Sequence, residues 1–248
     1  MHKNERIRAL NLSVCGSLHK SKNIPCQDYA LYKSKGTNFV AAVSDGAGSA
    51  KYGKIGAKII VETICDSLLN INMQNAAQEV EKAVIRARDK ALYHRLNKTQ
   101  SEYSLADFSA TMVGVFYDGK KGLFFHIGDG AAIAVCGENK QDIVVSEPEN
   151  GAFPCETFFF TMPDWKLNLR FTEFSDAEKI VLMTDGVTGF VFDDFGQIRE
   201  NFLFPIMQYL NDESRKTYAL KALENTLGSA KAMHINSDDK TILWAKLK

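Results

Sequence analysis

Three times in this chain a run of strand-forming residues ends on Asp-Gly: AAVSDGAGSA at Asp45, FFHIGDGAAI at Asp129 and IVLMTDGVTG at Asp185. An aspartate at a strand end can face a site shared by several strands, while the glycine lets the backbone turn away and expose its carbonyl. A fourth Asp-Gly, Asp118-Gly119, joins Phe116-Tyr117 to a segment starting at Gly122 and reads as an ordinary hairpin turn. Two further acidic positions fit the pattern: Asp28 in IPCQDYAL, and Asp238-Asp239 in INSDDKTILW just ahead of the last strand. A fold that collects these positions must bring distant strand ends to one place.

β-Branched and aromatic residues predict strands at Ile7–Val14, Phe39–Val43, Ala110–Tyr117, Gly122–Ile127, Ala131–Val135, Asp142–Val145, Asn168–Phe174, Ile180–Met183 and Thr241–Leu247. Ile55, Ile59, Ile60, Ile64 and Leu68 repeat with helical spacing, as do Val80, Val84, Ala87, Ala91 and Leu92. Two more helices are expected near Phe202–Leu210 and Lys216–Leu227. Strands and helices do not alternate, which argues against a doubly wound parallel sheet and for helices grouped outside antiparallel sheets. At 248 residues and 45% hydrophobic, without linker or repeat, the chain is expected to form a single domain over 1–248.

Thirty Lys+Arg balance thirty Asp+Glu, so the electrostatic footprint of a nucleic-acid binder is missing. The N-terminus lacks a signal-like apolar run and no eighteen consecutive apolar residues occur, so a cytoplasmic protein without a membrane partner is expected. The cysteines (Cys15, Cys26, Cys65, Cys136 and Cys155) are odd in number and show no C-x-x-C spacing, which disfavours a disulfide framework or a zinc knuckle. Neither Cys26 nor Cys155 sits in a phosphate-cradling glycine loop, so a thiol nucleophile is disfavoured as well. GAGSAKYG lacks the G-K-[ST] ending of a nucleotide-binding loop.

Clustered carboxylates repel one another, and burying them unpaired costs several kcal/mol each, so such a cluster calls for cations. All-oxygen ligation selects hard divalent ions, Mg²⁺ or Mn²⁺. Two such ions about 3.5–4 Å apart can acidify a water and neutralise a phosphoryl group under in-line attack.

In spacing and local sequence, Gln27-Asp28, Asp45-Gly46, Asp129, Asp185-Gly186 and Asp238-Asp239-Lys240-Thr241 resemble the PP2C-type (PPM) protein phosphatases, in detail their divergent bacterial branch. The resemblance spans nearly the whole chain, and its strength lies in five weak motifs occurring in the right order. It implies a four-layer α-β-β-α sandwich of the α+β class. It also implies roles: Asp45 bridging two metals with the Gly46 carbonyl on one, Asp185 and Asp238 completing the other, and Asp28 close to the pair. Asp129 with Asp185 would offer a third, weaker metal position, and Ser109-Ala110-Thr111 is similar to the family's G-[ST]-T before a central strand.

The chain departs from the family pattern at several points. Gln27 stands where many members have Glu, and Ala47 stands where D-G-H-G would supply a histidine acid. Ala131 replaces the arginine of V-G-D-S-R, and the phosphate-gripping arginine is replaced by the stretch His19-Lys20-Ser21-Lys22. Histidine can give one directed hydrogen bond, which makes His19 the favoured substitute for orienting phosphate. His126 and His234 read as structural, Phe158-Phe159-Phe160 as core or flap packing, and Glu147–Trp165 as the family's variable flap.

The function expected is hydrolysis of phosphoserine or phosphothreonine on proteins by water activated between two Mn²⁺ or Mg²⁺ ions. Asp45, Asp185 and His19 are the candidate catalytic residues. The partners expected are phosphoprotein substrates of a Ser/Thr kinase, and a monomer is expected. Two alternatives compete: a pseudophosphatase that binds a phosphorylated partner, and a two-metal hydrolase of small phosphate esters.

Overall fold

The computed structural model describes residues 7–98, 104–137, 142–151, 156–209 and 216–247. The strands are β1 (Arg8–Val14), β2 (Tyr29–Lys35), β3 (Asn38–Ser44), β4 (Met112–Tyr117), β5 (Lys121–Ile127), β6 (Ala131–Cys136), β7 (Asp142–Ser146), β8 (Arg170–Ser175), β9 (Ala177–Met183) and β10 (Lys240–Lys246). The helices are α1 (Ser17–Ser21), α2 (Gly53–Leu68), α3 (Ala76–Lys98), α4 (Asp185–Val191), α5 (Glu200–Tyr209), α6 (Lys216–Leu227) and α7 (Ala230–Ile235). The strands form two five-stranded sheets ordered β1-β10-β9-β6-β7 and β2-β3-β4-β5-β8, and every pairing is antiparallel.

The pleat sends alternate residues of each strand into different cores. In β3, Phe39, Ala41 and Val43 enter the layer between the sheets, while Val40 and Ala42 pack under α2. In β10, Leu243 and Ala245, with Leu247 just past its end, face the other sheet and Ile242 and Trp244 face α4–α6. Small residues of β6, Ala132 and Ala134, share the inter-sheet layer with Tyr117, Phe124 and Phe174. The result is the expected α-β-β-α sandwich with three hydrophobic layers.

The chain passes from one sheet to the other at four described crossings: residues 15–28 between β1 and β2, 128–130 between β5 and β6, the segment between β7 and β8, and Asp176 between β8 and β9. The hairpin read at Asp118 is present, with Gly119 at φ 101° and Asp118 Oδ1 accepting from the N–H groups of Lys120 and Lys121. Sequence patterns missed β2, a partly buried edge strand joined to β3 across Gly36-Thr37, and also the short helices α1, α4 and α7. The predicted end of α5 at Leu210 lies outside the described residues, as does Cys155.

Candidate active site

Each candidate aspartate is delivered by a strand end or a sheet crossing. Asp28 lies just before β2, Asp45 just after β3, Asp129 in the turn from β5 to β6, Asp185 at the first position of α4 after β9, and Asp238 just before β10. Thr111 clasps Asp45: its N–H donates to the Asp45 carbonyl at 2.9 Å, and its Oγ1 accepts from the Asp45 N–H at 3.0 Å. This is the structural task of the Ser109-Ala110-Thr111 motif. Thr184 Oγ1 donates to Asp28 Oδ2 at 2.9 Å, and Thr157 Oγ1, in the predicted flap, donates to Asp129 Oδ2. Asp238 Oδ1 accepts from the Asp239 N–H at 2.8 Å.

Burial and neighbouring charge displace four of these carboxyls, those of Asp28, Asp45, Asp129 and Asp185. Burial pushes the Asp28 carboxyl up to about 7. Burial first, then the Asp28, Asp238 and Asp129 charges, hold Asp45 well above the usual carboxylate range. Burial, then Asp45, Asp129 and Asp238, push Asp185 up to about 8, and burial also raises Asp129. Asp28 Oδ1 and Asp185 Oδ1 are sealed from solvent without a donor, as is Gln27 Oε1. The neighbour of Asp28 is another carboxylate, that of Asp45, within hydrogen-bonding range. Two carboxylates can share such a contact only around a proton or a cation.

These orphaned oxygens suit a hard divalent cation. Among the described residues no three His, Cys, Asp or Glu side chains close round a single point. A ring of few carboxylates is nonetheless what Mg²⁺ takes, because it keeps several waters and needs only one or two protein carboxylates. The bridge between Gly46 and Ala110 is made by the flanking residues, Asp45, Ala47, Ser109 and Thr111, and does not use the Gly46 carbonyl.

Asp239 has a different task from Asp238. Burial alone would raise it, but N–H groups of Gly16 at 2.7 Å and Gln27 at 2.6 Å, with the His19 ring at 2.8 Å, hold it below the usual carboxylate range. His19 is 6% exposed and uses Nδ1 on Asp239, while Nε2 lies 4.0 Å from where a Gly48 side chain would begin. Lys20 and Lys22 are exposed. Lys240 is fully buried and donates to the carbonyls of Asn236 at 2.7 Å and Asp238 at 2.8 Å, fixing the loop that carries Asp238. A β-carbon on Gly186 would stand 1.8 Å from the Asp239 carbonyl oxygen, so the glycine of this Asp-Gly admits the neighbouring backbone.

Sequence reasoning missed Asp239, Thr184, Thr157 and Lys240 as supports. The Asp238-Asp239 pair was a visible signal, since two adjacent acids at one strand start cannot both face the same ions. His126 is a core residue bonded to Ser146 Oγ at 3.0 Å, and His234 is exposed. Phe160 is buried beneath α2 and α3, with Phe158 against it.

The chain belongs to the protein phosphatase 2C family, whose model matches residues 15–228. No curated protein matches the sequence. Solved structures share the fold. The serine/threonine phosphatase Stp1 from Staphylococcus aureus is 14% identical with a TM-score of 0.67, covering 100% of this chain and 98% of that one. PppA from Pseudomonas aeruginosa is 16% identical with a TM-score of 0.67 and 97% of each chain covered. RsbX, crystallised in complex with magnesium, is 15% identical with a TM-score of 0.59, covering 100% of this chain and 98% of RsbX. Family and fold together support a protein-serine/threonine phosphatase. No helix among the described residues is long and apolar enough to cross a membrane.

Proposed function

We propose that this protein, acting as a single catalytic domain, hydrolyses phosphoserine and phosphothreonine on proteins with the help of two Mn²⁺ or Mg²⁺ ions. One observation carries the reading: the charges of carboxylates from five separated segments act on Asp45 and Asp185, and oxygens of Asp28 and Asp185 lie buried without donors. Asp28, Asp45, the Gly46 carbonyl, Asp185 and Asp238 would hold the metal pair, and Asp129 with Asp185 a weaker third ion. Such ions, when bound, supply Lewis acidity that activates water and offsets phosphoryl charge. The magnesium bound by RsbX supports the choice of a hard ion.

The chain's own groups position the reaction. Thr111 fixes Asp45, Lys240 fixes the Asp238 loop, and Asp239 fixes the His19 ring with Nε2 turned toward the Gly48 loop. We assign His19 to orienting the phosphate, in place of the family's arginine. The four described cysteines form no disulfide, which suits a cytoplasmic monomer reversing a Ser/Thr kinase. The test is a phosphopeptide assay with Mn²⁺, with chelator, and with nucleotide substrates in parallel. Turnover of phosphopeptide only with metal supports the reading. Preference for nucleotides would favour a hydrolase of small esters, and binding without turnover a pseudophosphatase.

A further inference from the structure

Two arginines from different elements grip the backbone of the flap between β7 and β8. Its two limbs meet at an antiparallel bridge between Asn150 and Thr157, where the Gly151 N–H donates to the Glu156 carbonyl at 2.8 Å. On the outgoing limb, Arg170 at the start of β8 donates through Nη1 to the Glu147 carbonyl at 2.9 Å, and its Nε stands 2.5 Å from Glu149 Oε2. Its Nη2 reaches the Gly128 carbonyl at 3.3 Å, and the same carbonyl accepts from the Glu149 N–H at 3.1 Å. On the return limb, Arg88 of α3 donates through Nη1 to the carbonyls of Phe160 at 2.7 Å and Met162 at 2.8 Å. Irregular backbone carries carbonyls that no sheet ladder satisfies, and one planar guanidinium can serve several of them where a lysine offers a point charge. Between the two grips, Thr157 Oγ1 donates to Asp129 Oδ2. A hydroxyl held on one oxygen of a planar carboxylate fixes where the other oxygen faces.

We propose that Arg88 and Arg170 are positioning residues that hold the two limbs of the flap at the Asp129 turn, so that Thr157 sets how Asp129 faces the carboxylate site. The inference rests on the reading of Asp129 as a weak metal position. The bonds of both arginines go to backbone carbonyls and Glu149, so their effect on Asp129 passes through the flap. Releasing either limb therefore loosens the Asp129 position and spares the ions on Asp45.

The test uses the full chain with Arg88→Met and Arg170→Met, which keep the apolar stem of each side chain. Arg86→Met is the control, since Arg86 lies on the same helix as Arg88 and pairs with Glu79. Amide exchange in chelator should quicken about ten-fold at Glu149 and Gly151 in Arg170→Met, and at Phe160 in Arg88→Met, while β4 and β10 stay within about three-fold. Binding of Mn²⁺ alone, followed by electron paramagnetic resonance, should weaken about ten-fold in its weakest class of sites and less than about two-fold in the tighter ones. Thr157→Val should reproduce that loss, and Thr157→Ser, which keeps the hydroxyl, should not. In an Asp129→Ala background neither arginine change should lower Mn²⁺ affinity or kcat for p-nitrophenyl phosphate further, because both act through Asp129. The proposal is overturned if exchange in the flap is unmoved by both arginine variants. It is equally overturned if their losses are as large without Asp129 as with it, which is what general destabilisation would produce. A native chain that binds Mn²⁺ in this graded way yet hydrolyses no phosphate ester would sink the phosphatase reading and still support the clamp.

Discussion

Nδ1 of His19 stands 2.8 Å from Oδ2 of Asp239, with both side chains almost wholly withdrawn from solvent. The same carboxylate takes the N–H groups of Gly16 and Gln27, so one side chain ties the end of β1, the helix α1 and the approach to Asp28 onto the start of β10. The pair is thus both a structural knot and the mount of a candidate phosphate-orienting ring.

Asp239→Asn keeps one acceptor oxygen and turns an amide NH₂ toward donors. It should destabilise the fold by roughly 1–3 kcal/mol. Urea unfolding in chelator measures this without metal, and an unchanged midpoint would show that the three donors find other partners.

His19→Ala should lower kcat/KM for phosphopeptide about ten-fold while Mn²⁺ affinity stays within about two-fold. Lys20→Ala/Lys22→Ala, at exposed positions, should change kcat/KM by less than about three-fold. If the double lysine variant loses more activity than His19→Ala, the phosphate is oriented by the lysines instead.

Asp45→Asn should abolish turnover and weaken binding of both metals, because Asp45 lies among all the other candidate carboxylates. Asp118→Asn is its control: the turn uses Oδ1 as an acceptor, which the amide retains. Near-native turnover by Asp45→Asn in Mn²⁺ would remove Asp45 from the site.

Without metal, stability should fall as pH rises through neutrality. Burial lifts Asp28 to about 7 and Asp185 to about 8, so the folded chain holds protons that the unfolded chain has released. The resulting stabilisation is complete below the ordinary carboxylate range, near pH 4, and is lost as pH passes through the raised values. Differential scanning fluorimetry in chelator should show Tm declining from about pH 5 to about pH 8.5, and saturating Mn²⁺ should reduce the decline. A metal-free Tm that climbs over the same interval would contradict the buried cluster.

Gly186→Ala places a methyl against the Asp239 carbonyl oxygen, at a point where something must move. Gly189→Ala, in the same helix, meets open space and should stabilise α4 by up to about 1 kcal/mol. Circular dichroism melts of the two variants should move in opposite directions. A neutral Gly186→Ala would mean that the Asp239 backbone yields easily.

Much of this arrangement was legible in the sequence. Asp45, Asp129 and Asp185 announced themselves because each terminates a strand of continuous hydrophobic character, as expected of strands buried on both faces. The hairpin at Asp118 was separable because charged lysines follow it. The supports were harder to see. Asp239 is identical in type to Asp238, and only the chain's path past Gly16 and Gln27 decides which carboxylate faces inward to N–H donors. Lys240 looks like a surface lysine until α7 covers it, and β2 was hidden because its burial is only partial.

Three of the four crossings between the sheets carry His19 and Asp28, Asp129, and Thr157, whereas Asp45 hangs from one sheet and Asp185 and Asp238 from the other. The spacing of the reacting groups is therefore set by how the two sheets are registered against each other, like the jaws of a caliper whose screw is the layer of Phe124, Phe174, Ala132 and Ala134. A residue in that layer touches no substrate, yet a change in its bulk would reset the gap between the jaws and reach turnover before it reached the fold.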